Sequence, residues 1–244
     1  MNVDVVLLPR DLPPDDASDL TVIVLDVLRA TTTIAAALTS GVREILIFES
    51  IAAAREGAAQ RSGVLLCGEE QCLAPAGFDL GNSPGKFDRA RHAGQAVCMS
   101  TTNGTHAILA ARGAGRILCG ALVNASAVAR VARAAGADVL LLCSGTNGKV
   151  AAEDVIGAGA LLRALRECGT VQAQSDIAWM AEQLFLASRD DLSAALGNTR
   201  GGRNVIAAGL EEDVAFAARI DTLDVVGEVC GEGPPIIRAV LAGT

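Results

Sequence analysis

The chain has 244 residues, a formal net charge of −8, 51% hydrophobic residues and a mean hydropathy of +0.40. The acidic balance argues against nucleic acid as a partner, which asks for a basic stripe. No run of about 18 apolar residues escapes a Gly, Arg or polar break, which excludes a helix crossing a membrane. The expectation is a single domain over residues 1–244 with a sizeable core, no secretory leader, a cytoplasmic location and a chain compatible with a homodimer.

Asp4–Leu8 reads as a first strand ended by Pro9, and Arg10–Asp19, with its Pro13-Pro14-Asp15-Asp16 run, as a solvated loop. Thr21–Leu25 (TVIVL) is continuously apolar or β-branched, as a strand buried on both faces must be. It delivers Asp26-Val27-Leu28-Arg29-Ala30-Thr31-Thr32-Thr33, a carboxylate, a guanidinium and three hydroxyls at the handover to a helix over Thr31–Thr39 stopped at Gly41. In open α/β sheets the carboxyl ends of strands face a crevice into which free helix N–H groups point, so the expected guest is an anion.

Glu44–Phe48 is the next strand, Ile51–Arg61 a helix and Val64–Cys67 a strand ending on Gly68-Glu69-Glu70. Gly68–Phe87 has no room for a regular element, and a loop of that length in a compact domain is usually functional. The strand Gln95–Ser100 leads to Thr101-Thr102-Asn103-Gly104-Thr105 and a helix over His106–Arg112. Arg116–Cys119 is a strand, and Asn124–Ala135 a helix with Asn124 as its N-cap. Ala137–Cys143 is a strand delivering Ser144-Gly145-Thr146-Asn147-Gly148-Lys149, and a helix follows from Ala151 or Asp154 to Cys168.

The remainder reads as helices over Ser175–Ser188 and Asp190–Ala195, a turn at Gly197–Asn204, and a helix over Leu210–Ala218. Glu211, Glu212 and Asp213 in its first turn suit the positive end of the dipole. The tail around Pro234-Pro235 has weak strand character, with no second core and no linker. The alternation of strand and helix predicts an α/β fold.

Several chemistries fall away. The seven cysteines, Cys67, Cys72, Cys98, Cys119, Cys143, Cys168 and Cys230, form no CxxC pair and sit mostly in apolar runs, as buried thiols do. His92 and His106 lack neighbours for a zinc site or a catalytic triad. Gly145–Lys149 imitates the end of a P-loop, but Cys143 stands where its first Gly belongs and Val150 where the Mg²⁺-binding hydroxyl belongs. Asp26-Val27-Leu28 lacks the second Asp of an aspartyl-phosphate motif, and no GxGxxG follows a strand.

What remains is a set of carboxylates, Asp26, Glu69 with Glu70, and Glu153 with Asp154, beside turns rich in hydroxyl and N–H groups. Such a set makes sense if Mg²⁺ joins a phosphate to the protein, because that ion takes a few carboxylates plus phosphate oxygens and water. The plainer readings are helix-dipole charge for Glu153-Asp154 and a solvated loop for Glu69-Glu70.

The blocks LDVLRATTTI, GFDLGNSP, STTNGT, NASAV and the Glu-Asp of AAEDVIGAGAL, in this order, resemble the 2-phosphosulfolactate phosphatase (ComB) family. The resemblance implies a three-layer α/β/α fold with a mostly parallel mixed sheet. It also implies Mg²⁺-dependent release of phosphate from 2-phospho-3-sulfolactate, a small anionic phosphorylated substrate on the route to coenzyme M. Carried onto this chain, it assigns Asp26, Arg29, Glu69 and Asn103 to catalysis, and Asp26, Glu69, Glu153 and Asp154 to the metal. Substrate binding falls to Arg29, Thr31, Thr32, Asn82, Ser83, Thr101, Thr102, Asn103, Gly104, Thr105 and Thr146. Where the family usually has Arg after Gly-Glu, this chain has Glu70, and Ala151-Ala152 stands for its Ser-Leu. A lyase or transferase acting on another phosphorylated acid, and a non-catalytic anion binder, are the rival readings.

Overall fold

The computed structural model describes residues 1–12, 17–231 and 234–241. In chain order its first half holds β1 (Asn2–Val6), β2 (Thr21–Leu25), α1 (Ala30–Thr39), β3 (Glu44–Ile47), α2 (Ile51–Ala59), β4 (Val64–Gly68), β5 (Leu80–Gly81), α3 (Arg89–His92), β6 (Ala96–Ser100), α4 (Gly104–Ala110) and β7 (Arg116–Gly120). The second half holds α5 (Ala125–Ala135), β8 (Val139–Cys143), α6 (Ala152–Glu167), β9 (Gln172–Ala173), α7 (Asp176–Ser188), α8 (Leu192–Gly197), α9 (Arg200–Ala207), α10 (Glu211–Ala217), β10 (Val225–Cys230) and β11 (Ile236–Leu241). The Pro13–Asp16 part of the expected first loop lies outside the described residues.

The strands form one sheet in the order β5-β4-β6-β3-β11-β10-β7-β2-β8-β1-β9. Two parallel blocks make up its flanks, β9-β1-β8-β2-β7 and β3-β6-β4-β5. The antiparallel hairpin β10–β11 joins them, pairing antiparallel with β7 on one side and with β3 on the other. This is the mostly parallel mixed sheet expected.

Alternate residues of the central strands feed two separate cores. Val22 and Val24 of β2, Ile117 and Cys119 of β7, and Leu140 and Leu142 of β8 pack with Ile34 and Leu38 of α1 and Ile108 of α4. Ile23, Leu25, Leu118 and Leu141, facing the other way, pack with α5, α6 and α7 through Val128, Leu161, Leu165 and Phe185. A helix layer on each face is what makes TVIVL apolar without alternation: all five of its residues are buried.

The tail, expected to be only weakly extended, supplies the hairpin at the middle of the sheet. Its strand signal is masked by Glu228, a charge inside a central strand, which the fold accommodates with a two-pronged pair to Arg116 (Nε–Oε1 2.7 Å, Nη2–Oε2 2.8 Å). Gly197–Asn204 is not a turn throughout: Thr199 accepts from Gly202 N and starts α9. Asn124 does not cap α5 through its side chain. It is buried, accepts from Ala121 N (2.9 Å) and donates to Val225 O (3.0 Å), tying the start of α5 to β10.

Candidate active site

In the hairpin bridge β10 pairs with β7 at Gly227 and Glu228, and β11 with β3 at Ile236 and Ile237. The turns at the carboxyl ends of the two blocks meet. Gly104, at the start of α4 in one block, lies so close to Asp26, after β2 in the other, that a Cβ on it would sit 2.6 Å from Asp26 Oδ2 and 2.4 Å from the Ala30 Cβ. Only glycine allows that approach.

Asp26, Arg29, Glu69, Asn82, Asn103 and Thr146 all line one small cleft. Asp26 is 4% exposed and its Oδ1 accepts from Ala30 N at 3.2 Å. Burial pushes its carboxyl up to about 7, with Glu69 and Glu153 adding repulsion, against a lowering by the Ala30 N–H and Arg29. Glu69 staples two turns together, accepting from Cys72 N (3.0 Å) and Thr102 N (2.7 Å). Asn103 Oδ1 accepts from Asn147 N at 3.0 Å, fastening the turn after β6 to the one after β8.

The acidic pair at the start of α6 divides its work. Asp154 accepts from Val27 N (2.9 Å), Ser144 Oγ (3.0 Å) and Gly145 N (2.9 Å), so both its oxygens lock the turns after β2 and β8 together. Burial, with Asp26 and Glu153 nearby, holds its carboxyl well above the usual carboxylate range. Glu153 is 1% exposed and its Oε2 has no partner. Gly201 of α9 closes over this side chain, with room for no Cβ: one would lie 1.9 Å from Glu153 Oε1. Asn82 Oδ1 is likewise buried without a partner.

Arg29 is 3% exposed and already engaged. Its Nη1 donates to Asp213 Oδ2 (2.6 Å) and Ser83 Oγ (3.2 Å), and its Nη2 to Cys72 O (2.5 Å). Ser83 Oγ donates to the same Asp213 oxygen at 2.7 Å. Asp213 is therefore no mere dipole charge; it is the buried counter-ion that fixes Arg29, leaving Nε and one Nη2 hydrogen for a ligand.

Several hydroxyls expected to bind substrate do something else. Thr31 Oγ1 donates to Asp26 O and accepts from Asp26 N, and Thr32 Oγ1 donates to Val27 O. Thr101 and Thr105 form a reciprocal pair, each hydroxyl accepting from the other's backbone N–H. These four side chains are buried and line no part of the cleft; they satisfy backbone groups that the strand-to-helix turns leave open. The Thr102 N–H is taken by Glu69, and Ser83 acts on Arg29. Sequence reading passed over Cys72, Gly201 and Asn204, which line the cleft, and the pairing of Asp213.

Of the described residues, two carboxylates, Asp26 and Glu69, and one cation, Arg29, line the cleft, and Asp213 neutralises Arg29. Among the described residues no three acidic, cysteine or histidine side chains form a cluster that could hold a metal unaided.

The sequence model described as 2-phosphosulpholactate phosphatase matches residues 6–232. The chain belongs to that family. Among its relatives, a probable 2-phosphosulfolactate phosphatase of Carboxydothermus hydrogenoformans is 38% identical over 228 residues, covering 93% of each chain. One of Deinococcus radiodurans is 39% identical over 227 residues (91% of this chain, 90% of the relative), and one of Thermotoga maritima 34% over 224 (92% and 93%). The blocks that carry the family resemblance, around Asp26, Asn82 and Asn103, are the ones that meet at the cleft.

Proposed function

We propose that the protein is a Mg²⁺-dependent phosphomonoester hydrolase acting on a small phosphorylated hydroxy acid. The relatives' names make 2-phospho-3-sulfolactate the first compound of that class to try. One observation carries the reading: a cleft lined by the carboxylates Asp26 and Glu69 whose lining arginine, Arg29, is already paired with Asp213. A divalent cation would offset the repulsion between these carboxylates and a phosphate ester.

The donors present suit that ion. They are hard oxygens, two of which, Glu153 Oε2 and Asn82 Oδ1, are buried without a partner, and the lack of a complete three-carboxylate cluster suits an ion that keeps water and substrate oxygens in its shell. Asp26 and Glu69, which line the cleft, would hold it together with water and substrate oxygens, Glu153 would add its charge from behind Asp26, and Asp154 keeps the turns in place. When bound, the ion would draw negative charge from the phosphoryl oxygens.

The chain's own residues do the rest. Arg29, aimed by Asp213 and Ser83, offers its Nε and remaining Nη2 hydrogens to the phosphoryl or carboxylate oxygens of the ester. Asn103 and Thr146 bound the opposite wall. Asp26, whose carboxyl titrates near neutrality, can take a proton at Oδ2, the oxygen facing α4. Positioning and charge neutralisation supply most of the rate in phosphoryl transfer.

The test is phosphate release from phosphorylated three-carbon acids, with Mg²⁺ or with chelator, by the wild type and Asp26→Asn. Release that needs Mg²⁺ and vanishes in the variant supports hydrolysis. Turnover without free phosphate makes the protein a lyase or transferase, and tight binding without turnover makes it a binder; either ends the proposal.

A further inference from the structure

A second cavity adjoins the cleft, and five residues line both: Glu69, Cys72, Asn103, Thr146 and Asn204. They form the neck between the two. Asp26 and Arg29 line the inner cleft only, and Thr102 and Asn147 the outer cavity only. In a 2-phosphorylated hydroxy acid the carboxylate carbon stands two bonds from the ester oxygen. An ester whose phosphoryl group reaches Asp26 and Arg29 therefore leaves its acid group at the neck.

No side-chain cation waits for that group. Among the described residues Arg29 is the one Lys or Arg that lines either cavity, and it carries Asp213. The Glu69 oxygens are both taken by backbone N–H groups, Oε1 by Thr102 N and Oε2 by Cys72 N. What the neck does offer is neutral donors. Asn103 Nδ2, Thr146 Oγ1 and the Asn204 side-chain amide make no hydrogen bond to any described residue, although Asn103 Oδ1 is held by Asn147 N. A neutral donor binds an anion without being captured by the carboxylates beside it, and a hydrogen bond with one ionised partner is of the stronger kind.

Asn103 and Thr146 stand in turns that follow strands, whereas Asn204 comes from α9, where packing fixes its place. Gly201 and Gly202 let α9 lie against Glu153 and the Leu196 carbonyl, since a Cβ on either would fall 1.9 Å from an oxygen. Asn204 and Val205 follow Gly201 by three and four residues, so all three share the face of α9 that lines the inner cleft. Helix stability does not account for an asparagine here. It is a weak helix former, and at this position it is exposed and caps no helix.

We propose that Asn204 is a specificity-determining residue of the hydrolase, its side-chain amide donating to the second acidic group of the ester, the carboxylate or sulfonate, alongside Asn103 Nδ2 and Thr146 Oγ1. This rests on the hydrolase reading and deepens it. Inorganic phosphate, which has no second acidic group, fills the inner cleft without touching Asn204.

The experiment measures kcat and KM for phosphate release from 2-phospho-3-sulfolactate by the full chain with Mg²⁺, and the Ki of inorganic phosphate, in the wild type, Asn204→Ala and Asn204→Asp. Asn204→Ala is expected to raise KM about tenfold, the loss of one hydrogen bond to a charged group, while kcat and the phosphate Ki each move less than about threefold. Asn204→Asp is expected to raise KM further, because a carboxylate then faces the acid group. A KM within about twofold of the wild type in Asn204→Ala overturns the proposal and leaves the hydrolase reading standing. So does a phosphate Ki that rises as much as KM, which marks a disturbed cleft, and so does Asn204→Asp binding the ester no worse than the wild type. No phosphate released by the wild type overturns both readings.

Discussion

Asp213→Asn tests whether the arginine of the cleft is held by the C-terminal helices. The Arg29 and Asp213 side chains are 2% and 8% exposed and 2.6 Å apart. Removing one charge strands a buried guanidinium, and breaking a buried pair in this way costs about 3–5 kcal/mol. At about 2–4 °C per kcal/mol for a chain of this size, Tm is expected to fall by about 6–20 °C. A guanidinium displaced by about 1 Å also costs roughly a hundredfold in rate, read as kcat/KM for phosphate release well below the variant's Tm. The double variant Arg29→Met/Asp213→Leu separates the two effects: it removes both charges, so Tm should recover towards the wild type while activity stays lost. A Tm within 2 °C of wild type for Asp213→Asn, with kcat/KM changed less than about threefold, would refute the reasoning.

Burial raises the Asp26 carboxyl from 3.8 to about 7 and raises that of Asp154 in the same direction. The fold therefore favours the protonated acids, and this stability is present below about pH 4 and lost as the pH rises through 7, by roughly 4 kcal/mol for Asp26 alone. In chelator, Tm should fall between pH 5 and 8, and Mg²⁺ should restore it more at pH 8 than at pH 5; a flat profile contradicts the burial argument. Asp26→Asn should abolish phosphate release yet raise Tm in chelator at pH 8, since it removes the buried charge; a lowered Tm there means the charge is compensated. Gly201→Ala drives a methyl group to within 1.9 Å of Glu153 Oε1, so the Mg²⁺ concentration for half-maximal activity should rise about tenfold; an unchanged Mg²⁺ titration would detach Glu153 from the cation.

Strand-to-helix handovers mark where polar residues gather at the carboxyl end of a strand, and Asp26, Glu69, Asn103 and Thr146 stand there, after β2, β4, β6 and β8. That rule does not bring them together: three antiparallel pairings separate β7 from β3, so the two blocks run in opposite directions and their carboxyl ends meet only in the folded chain. The hydroxyls at these handovers have a second use. Thr31, Thr32, Thr101 and Thr105 stand where a ligand would be, and equally where the turn has backbone groups to satisfy, and only the coordinates show the second use. Asp213 was hidden by its acidic neighbours, which the helix dipole accounts for. Its helical phase does distinguish it: Asp213, Val214 and Ala217 share the buried face of α10, while Glu211 and Glu212 are exposed. Gly201 and Gly202 read as turn residues because glycine usually marks a turn, but here they serve close packing, against Glu153 and against Leu196 O.

The placement of the C-terminal hairpin explains why this site needs the whole chain. Asp26, Arg29, Thr146 and Glu153 come from the β9-β1-β8-β2-β7 block, and Glu69, Asn82 and Asn103 from the β3-β6-β4-β5 block. Each block alone presents an ordinary parallel edge with part of the donor set. The hairpin that joins the blocks lies in the last twenty residues, and the helices just before it bring Gly201, Asn204 and Asp213 to the remaining side. Arg29 consequently takes its counter-ion from a residue 184 positions further along the chain. Without the C-terminal helices the guanidinium would lack that partner, so cleft assembly and completion of the sheet are expected to be one cooperative event.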